Sequence, residues 1–264
     1  LEVASGMYVE PDANLPSGES LVRQAVRGQR WLGEHLGVRA TTCWLAGCWG
    51  LPRSLPGLLR HCGYTRLAFR RGKPPWLMAS ELRWRGIDAG ELLCHWMPFG
   101  PGAGSTPNAA TGPSGAPNPS REVEDVVRAA AAFSQTPNVL LCVAARPGEA
   151  SAPALDALNG AGSGEARFVF STPGRFFDAV EASGVDLPVV DGELNPVCQG
   201  TYSGRIALKQ LNRRLETALG TAEKANALLW LDGGAYPHDA LDQAWRSVLA
   251  LSLIHISEPT RQAE

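Results

Sequence analysis

Thr41-Thr42-Cys43-Trp44-Leu45, Ser54-Leu55-Pro56-Gly57-Leu58-Leu59-Arg60-His61-Cys62 and Arg66-Leu67-Ala68-Phe69 are three short stretches whose order sets the architecture. The first and third are apolar runs of strand length, too short for helices and rich in residues that pack on a buried sheet. The middle stretch carries Leu55, Leu58 and Leu59 near helical spacing, with Pro56 at its start, where a missing N–H costs nothing. A strand, a helix and a second strand in this order imply a parallel pair with the helix on one face.

The alternation recurs outward from this unit. Leu92–Trp96, Val139–Val143 and Arg167–Phe170 read as further buried strands, and residues 121–133, 154–158 and 174–182 as helices. Upstream, Leu21, Ala25, Leu32 and Leu36 mark the apolar side of a helix from Ser17 to Leu36. Ser17 suits its N-cap and Glu19 its positive first turn. The class is therefore α/β, with a parallel sheet as an open sandwich or a barrel. In a barrel, functional residues sit at the carboxyl ends of strands. Those ends are Ala46–Trp49, Arg70–Arg71, His95–Trp96 and Ala144–Arg146.

Residues 98–120 are nearly all small, Gly or Pro and bury too little apolar area to offset ordering entropy, so a mobile loop over the barrel mouth is expected. The organisation predicted is a domain over 1–190 and a helical unit over 191–250. In the latter, Ser203 caps a long helix through Leu229, a Gly233-Gly234 turn follows, and a second helix starts near His238. Residues 251–264 differ in character: Leu251 to Arg261 is what a transposase-based sequencing adapter encodes in frame, so this tail is set aside.

The 264 residues are 44% hydrophobic with eight Trp, enough for a sizeable core. A net charge of −2 points to neither a nucleic-acid nor an anionic-membrane partner. No apolar run reaches the ~18 residues of a membrane span, and the first residues lack signal-peptide character. Six scattered cysteines, without Cys-x-x-Cys spacing, read as buried free thiols of a reducing cytoplasm. No phosphate-binding glycine motif is present.

Several blocks in order resemble glycoside hydrolase family 38, the zinc-dependent α-mannosidases, with the bacterial and cytosolic branch nearest. They are Gly6-Met7-Tyr8-Val9-Glu10-Pro11-Asp12 through Gln24, Trp44–Gly50, Arg83–Trp96, Gly192–Tyr202 and Lys209–Glu216. The resemblance implies part of a seven-stranded β/α barrel followed by helices of a three-helix bundle. It implies a retaining glycosidase acting on α-mannoside oligosaccharides in mannose metabolism, with oligomers possible in the full-length protein and a cytoplasmic location.

A retaining glycosidase needs two carboxylates about 5–5.5 Å apart. The family's nucleophile, an Asp that also binds zinc, falls on Gly47, and its acid/base falls on Ala145 or Arg146. A further His-x-Asp zinc pair would precede Leu1, and the last ligand would follow Ala250. The resemblance thus implies zinc for the family but no intact ligand set here, and an inactive chain. The alternative is a non-catalytic homologue that binds a carbohydrate or a protein.

Three residues remain as substrate-binding candidates: Trp49, Arg71 and His95. Trp49 and Arg71 read either as sugar-pocket groups or as a packing aromatic and a strand-end ion pair. Trp31, Trp76, Trp84 and Trp96 read as packing residues, and His35 and His61 as solvent-facing. Glu10, Asp12 and Glu193 read as loop-shaping carboxylates, and Glu149 as the nearest carboxylate to the lost acid.

Overall fold

The computed structural model describes residues 2–98, 127–142, 167–195 and 202–250. Helix α1 (Gly18–Leu36) leads into strand β1 (Thr42–Leu45), helix α2 (Leu55–His61) and strand β2 (Arg66–Phe69). A hairpin of β3 (Glu81–Arg85) and β4 (Glu91–Trp96) follows, then α3 (Pro173–Ala182), β5 (Val189–Asp191), α4 (Ile206–Leu231) and α5 (His238–Leu249). Residues 127–131 form a helical turn.

Local chemistry explains these boundaries. The Ser17 hydroxyl accepts from the Ser20 amide at the start of α1, and Gly37 takes the left-handed conformation that closes it (φ 65°). Thr172 caps α3 in the same way, with Pro173 at the first helical position. The expected α1, α2 and α3 therefore form where residue spacing placed them.

The sheet is mixed, in the order β1-β2-β4-β3-β5. Strands β1, β2 and β4 are parallel, with Thr42 opposite Arg66 and Leu67 opposite Cys94. Strand β3 returns antiparallel to β4, pairing Leu82 with Cys94 and Trp84 with Leu92, and β5 runs parallel to β3. Side chains alternate across the sheet. Cys43, Leu45, Leu67, Phe69, Leu82, Trp84, Leu92 and Cys94 point to the face covered by Leu21, Ala25 and Leu32 of α1 and Leu55 and Leu59 of α2. Leu93 points to the other face, against Phe176, Phe177 and Val180 of α3. Helices thus cover both faces.

Several expectations need correction. Residues 139–142 and 167–170 are not strands and have no ladder partner among the described residues. Strand β3 was not anticipated, although Glu81-Leu82-Arg83-Trp84-Arg85 alternates polar and apolar as a strand should. Strand β5 was not among the expected strands, and its three residues are too few to carry a period. The sheet is accordingly not all-parallel. The helix expected from Ser203 begins instead at Ile206, with Arg205 in a left-handed conformation (φ 44°) at its cap. The expected loop (from residue 99 on), Ala145, Arg146, Glu149, the segment 154–158, Cys198 and the tail 251–264 lie outside the described residues.

Polar contacts seat α4 and α5 on α1. Glu216 accepts from the Ser17 amide at 2.9 Å and the Ser20 hydroxyl at 2.6 Å, placing a carboxylate at the positive end of α1. Arg23 binds Glu223 at 2.8 Å and lies 4.0 Å over the Trp245 ring, and Arg27 pairs with Asp242. Among the described residues no helix is long and apolar enough to cross a membrane.

Candidate active site

The loop leaving the carboxyl end of β1 carries Gly47 and Trp49, and the loop leaving β2 carries Arg71; the parallel register of β1 with β2 sets the two loops side by side. Arg71 donates from a guanidinium nitrogen to the Gly47 carbonyl at 2.8 Å, and its guanidinium carbon lies 3.8 Å over the Trp49 ring. The Trp49 indole N–H is buried and has no hydrogen-bond partner among the described residues. Trp49 and Arg71, two of the three expected pocket residues, thus form one unit.

Glu10 closes the other side of Gly47. Its carboxylate accepts from the Gly47 amide at 2.6 Å, so residues 37 positions apart meet at the strand end. Burial raises the Glu10 carboxyl above its ordinary range, while the Gly47 amide, the Arg71 charge and the Cys48 amide pull it back. Reading the sequence placed Glu10 in a loop-shaping role; what was missed is that the segment carrying it packs against the β1 loop. Cys48 donates its thiol to the Pro11 carbonyl at 3.0 Å and tightens the same junction.

Behind this wall, Asp12 is fully buried and caps a turn, accepting from the amides of Asn14 at 2.8 Å and Leu15 at 2.9 Å. Asn14 donates its side-chain amide to Asn195 at 3.0 Å and to the Tyr202 hydroxyl at 2.6 Å. Leu51 and Leu194 exchange backbone hydrogen bonds, tying residues 192–195 to the β1 loop. Two glycines make this approach possible. A Cβ at Gly50 would fall 1.9 Å from the side-chain oxygen of Asn195, and one at Gly72 (φ +97°) 2.0 Å from the Leu194 carbonyl oxygen.

His95, the third candidate, is not at this wall. It is 2% exposed, paired through Nδ1 with the fully buried Glu81 at 3.0 Å and set edge-on to Phe176. Glu81 also accepts from the Gln135 amide, the Ser134 hydroxyl and the Ser80 hydroxyl. These partners, His95 foremost, outweigh burial and hold the Glu81 carboxyl below its ordinary range. The cluster joins β3, β4 and residues 134–138, with Glu81 and His95 buried at its centre.

Other placements are mixed. Trp84 is fully buried, but Trp31 is 52% and Trp76 70% exposed, against the packing role expected of both. His35 and His61 are exposed, as their helical positions implied. Cys43, Cys48, Cys62, Cys94 and Cys142 are free thiols, the first two and Cys94 buried, and burial raises each of them. No group of three or more His, Cys, Asp or Glu able to hold a metal ion occurs among the described residues. A cleft of about 490 Å³ is lined by Val22, Val26 and Val38 together with His61 and Cys62, and by none of Glu10, Gly47, Trp49 or Arg71.

Comparison with known proteins places this geometry. The description "Glycosyl hydrolases family 38 N-terminal domain" matches residues 1–193. Alpha-mannosidase 2C1 of Mus musculus is 28% identical over 259 residues, and an alpha-mannosidase of Saccharomyces cerevisiae is 30% identical over 270. Each alignment covers 92% of this chain but 23% of the relative, so the chain spans about a quarter of their length. The crystal structure of an alpha-mannosidase from Enterococcus faecalis V583 superposes with a TM-score of 0.78 at 25% identity, covering 96% of this chain and 29% of that one.

Proposed function

This chain belongs to glycosyl hydrolase family 38, and from that premise we propose that it supplies part of the mannoside pocket of an α-mannosidase while being unable to cleave the glycosidic bond itself. The observation that carries this reading is the Trp49–Arg71 unit: a cation held over an aromatic ring beside a buried indole N–H that lacks a partner among the described residues. Such a wall offers directional donors to sugar hydroxyls, and Glu10 beside it offers an acceptor.

The chemistry is what the wall lacks. Retention requires a nucleophilic carboxylate and a second carboxyl as acid and base. Gly47 offers neither, and Glu10, committed to the Gly47 amide, is placed to bind a hydroxyl rather than to attack. Zinc would need Asp and His donors converging on the pocket. Gly47 supplies none, Asp12 is committed to two backbone amides, and no candidate ligand cluster occurs among the described residues. This donor set does not fit a zinc ion and supports a chain that holds none by itself.

The reading extends to architecture. The five strands are proposed as part of a seven-stranded barrel, α4 and α5 as two helices of a three-helix bundle, and the compartment as the cytoplasm. Gly47 favours the second functional reading, a carbohydrate-binding homologue without turnover, over a working enzyme. Calorimetric titration with methyl α-mannoside and methyl α-glucoside tests the pocket. Saturable binding of the mannoside alone, lost in Arg71→Ala, is expected; equal binding of both sugars, or none, would overturn it.

A further inference from the structure

Helix α1 has a second face that the core does not use. Leu21, Ala25 and Leu32 are buried in the core, whereas Val22, Val26, Arg30 and Gly33 recur at the spacing of one outward stripe. This stripe forms one side of the cleft of about 490 Å³, a volume in the ~300–1,000 Å³ range of small-ligand sites. Val38 and Arg39, from the segment between α1 and β1, and His61 and Cys62, at the end of α2, complete it. Val26 is 47% and Val38 42% exposed, so the apolar lining is open to solvent.

Contacts beneath the cleft fix its shape. The Gln29 side chain donates to the Ala40 carbonyl at 2.7 Å and accepts from the Ala40 amide at 3.1 Å, pinning the segment that carries Val38 and Arg39 to α1. The Arg39 guanidinium reaches Gly63, where an added Cβ would fall 3.3 Å from it. Gly33 leaves a gap, since an added Cβ there meets no atom within 4 Å. The charge is one-sided. Arg23, Arg27 and Arg66 each hold a carboxylate. Among the described residues Arg30 and Arg39 hold none, and no Asp or Glu lines the cleft. Neither cation is needed at the end of α1. The Gly37 and Val38 amides already donate to the Leu32 carbonyl, and His35 is the basic residue of the last turn.

We propose that this cleft binds an anionic amphiphile, a carboxylate on an apolar chain, and that it does so independently of the Trp49–Arg71 wall, with which it shares no residue. Val22, Val26 and Val38 give the chain an apolar lining, and its removal from water supplies a non-directional attraction. Arg30 and Arg39 offer planar forks that match the two oxygens of the carboxylate head. A cationic amphiphile would meet two positive charges and no negative one, so the cleft discriminates by sign. The half-buried Cys62 thiol gives the site its own reporter.

The test titrates the whole chain with decanoate, kept below the concentration at which it self-associates, and with decyltrimethylammonium, which has the same chain and the opposite charge. Calorimetry reads affinity. The rate of maleimide labelling at Cys62, identified by its loss in Cys62→Ser, reads occupancy of the cleft. Decanoate is expected to bind at one site, about tenfold tighter than the cation, and to slow labelling at Cys62. Arg30→Ala combined with Arg39→Ala should weaken decanoate by about tenfold. Gly33→Leu fills the gap and favours the helix, so it should abolish binding while circular dichroism shows the fold intact. Equal affinity for the two amphiphiles, undiminished binding to Gly33→Leu, labelling at Cys62 that decanoate does not slow, or no saturable binding of decanoate would each overturn the proposal.

Discussion

The Arg71 guanidinium lies 3.8 Å over the Trp49 ring while donating to the carbonyl of Gly47, which the family resemblance puts at the nucleophile position. Stacking and hydrogen bonding fix the cation in one orientation, so its remaining N–H groups face a defined direction. The strand-end loops are thus locked to one another around Gly47.

If this wall binds mannosides, Arg71→Ala should weaken methyl α-mannoside binding by about tenfold or more, the equivalent of ~1.4 kcal/mol. Arg71→Lys should recover little, since an ammonium can neither stack flat nor fork. Calorimetry on both variants, with circular dichroism to confirm folding, checks the point.

Glu10 predicts a pH signature. Burial raises its carboxyl in the folded state above the unfolded value, so its contribution favours folding at low pH and is lost as pH rises through the folded value. Glu10→Gln keeps an oxygen acceptor for the Gly47 amide and removes the buried charge. It should raise Tm at pH 7 by roughly 2–4 °C, with no gain near pH 4. Thermal melts across pH 4–8 measure this, and a loss at pH 7 would count against it.

The Glu81–His95 pair predicts the opposite sign. The Glu81 carboxyl is held low, so its stabilisation is present above the unfolded carboxylate value and fades as pH falls through the folded one. Glu81→Ala should cost about 3–5 kcal/mol, because it strands His95 and the Gln135 amide inside the protein. Urea melts at pH 7 give the size, and melts at decreasing pH should show the difference from wild type narrowing.

Gly72→Ala should be among the most damaging single-methyl changes. The residue has φ +97° and would place its methyl 2.0 Å from the Leu194 carbonyl oxygen, combining strain with a backbone clash. A loss of about 3 kcal/mol or more in urea melts is expected. Gly37→Ala, with positive φ but open space, should cost only about 1 kcal/mol.

Much of this was legible in the residues. Ser17 and Leu21 through Leu32 announced α1, the Thr41–Phe69 unit announced a parallel pair, and Gly233-Gly234 separated two helices. What failed was strand identity where burial, not period, decides. A short apolar run cannot be told from irregular chain that merely packs. Residues 139–142 contain Val139, Leu140 and Leu141 yet join no strand among the described residues, whereas the three residues Val189–Asp191 pair with β3. At the strand ends, Trp49 and Arg71 were singled out from family likeness, and the structure brings the two together. The meeting of Glu10 with Gly47 was not legible, because contacts between segments far apart in sequence arise only when the chain is folded.

Whether this chain turns over a mannoside is decided by release of aryl alcohol from an aryl α-mannoside by the purified protein, with and without added zinc. A rate indistinguishable from buffer is expected under both conditions, because Gly47 presents no carboxylate. A zinc-stimulated rate above a mock purification, abolished in Glu10→Gln, would contradict the loss of catalysis and make Glu10 the working carboxylate.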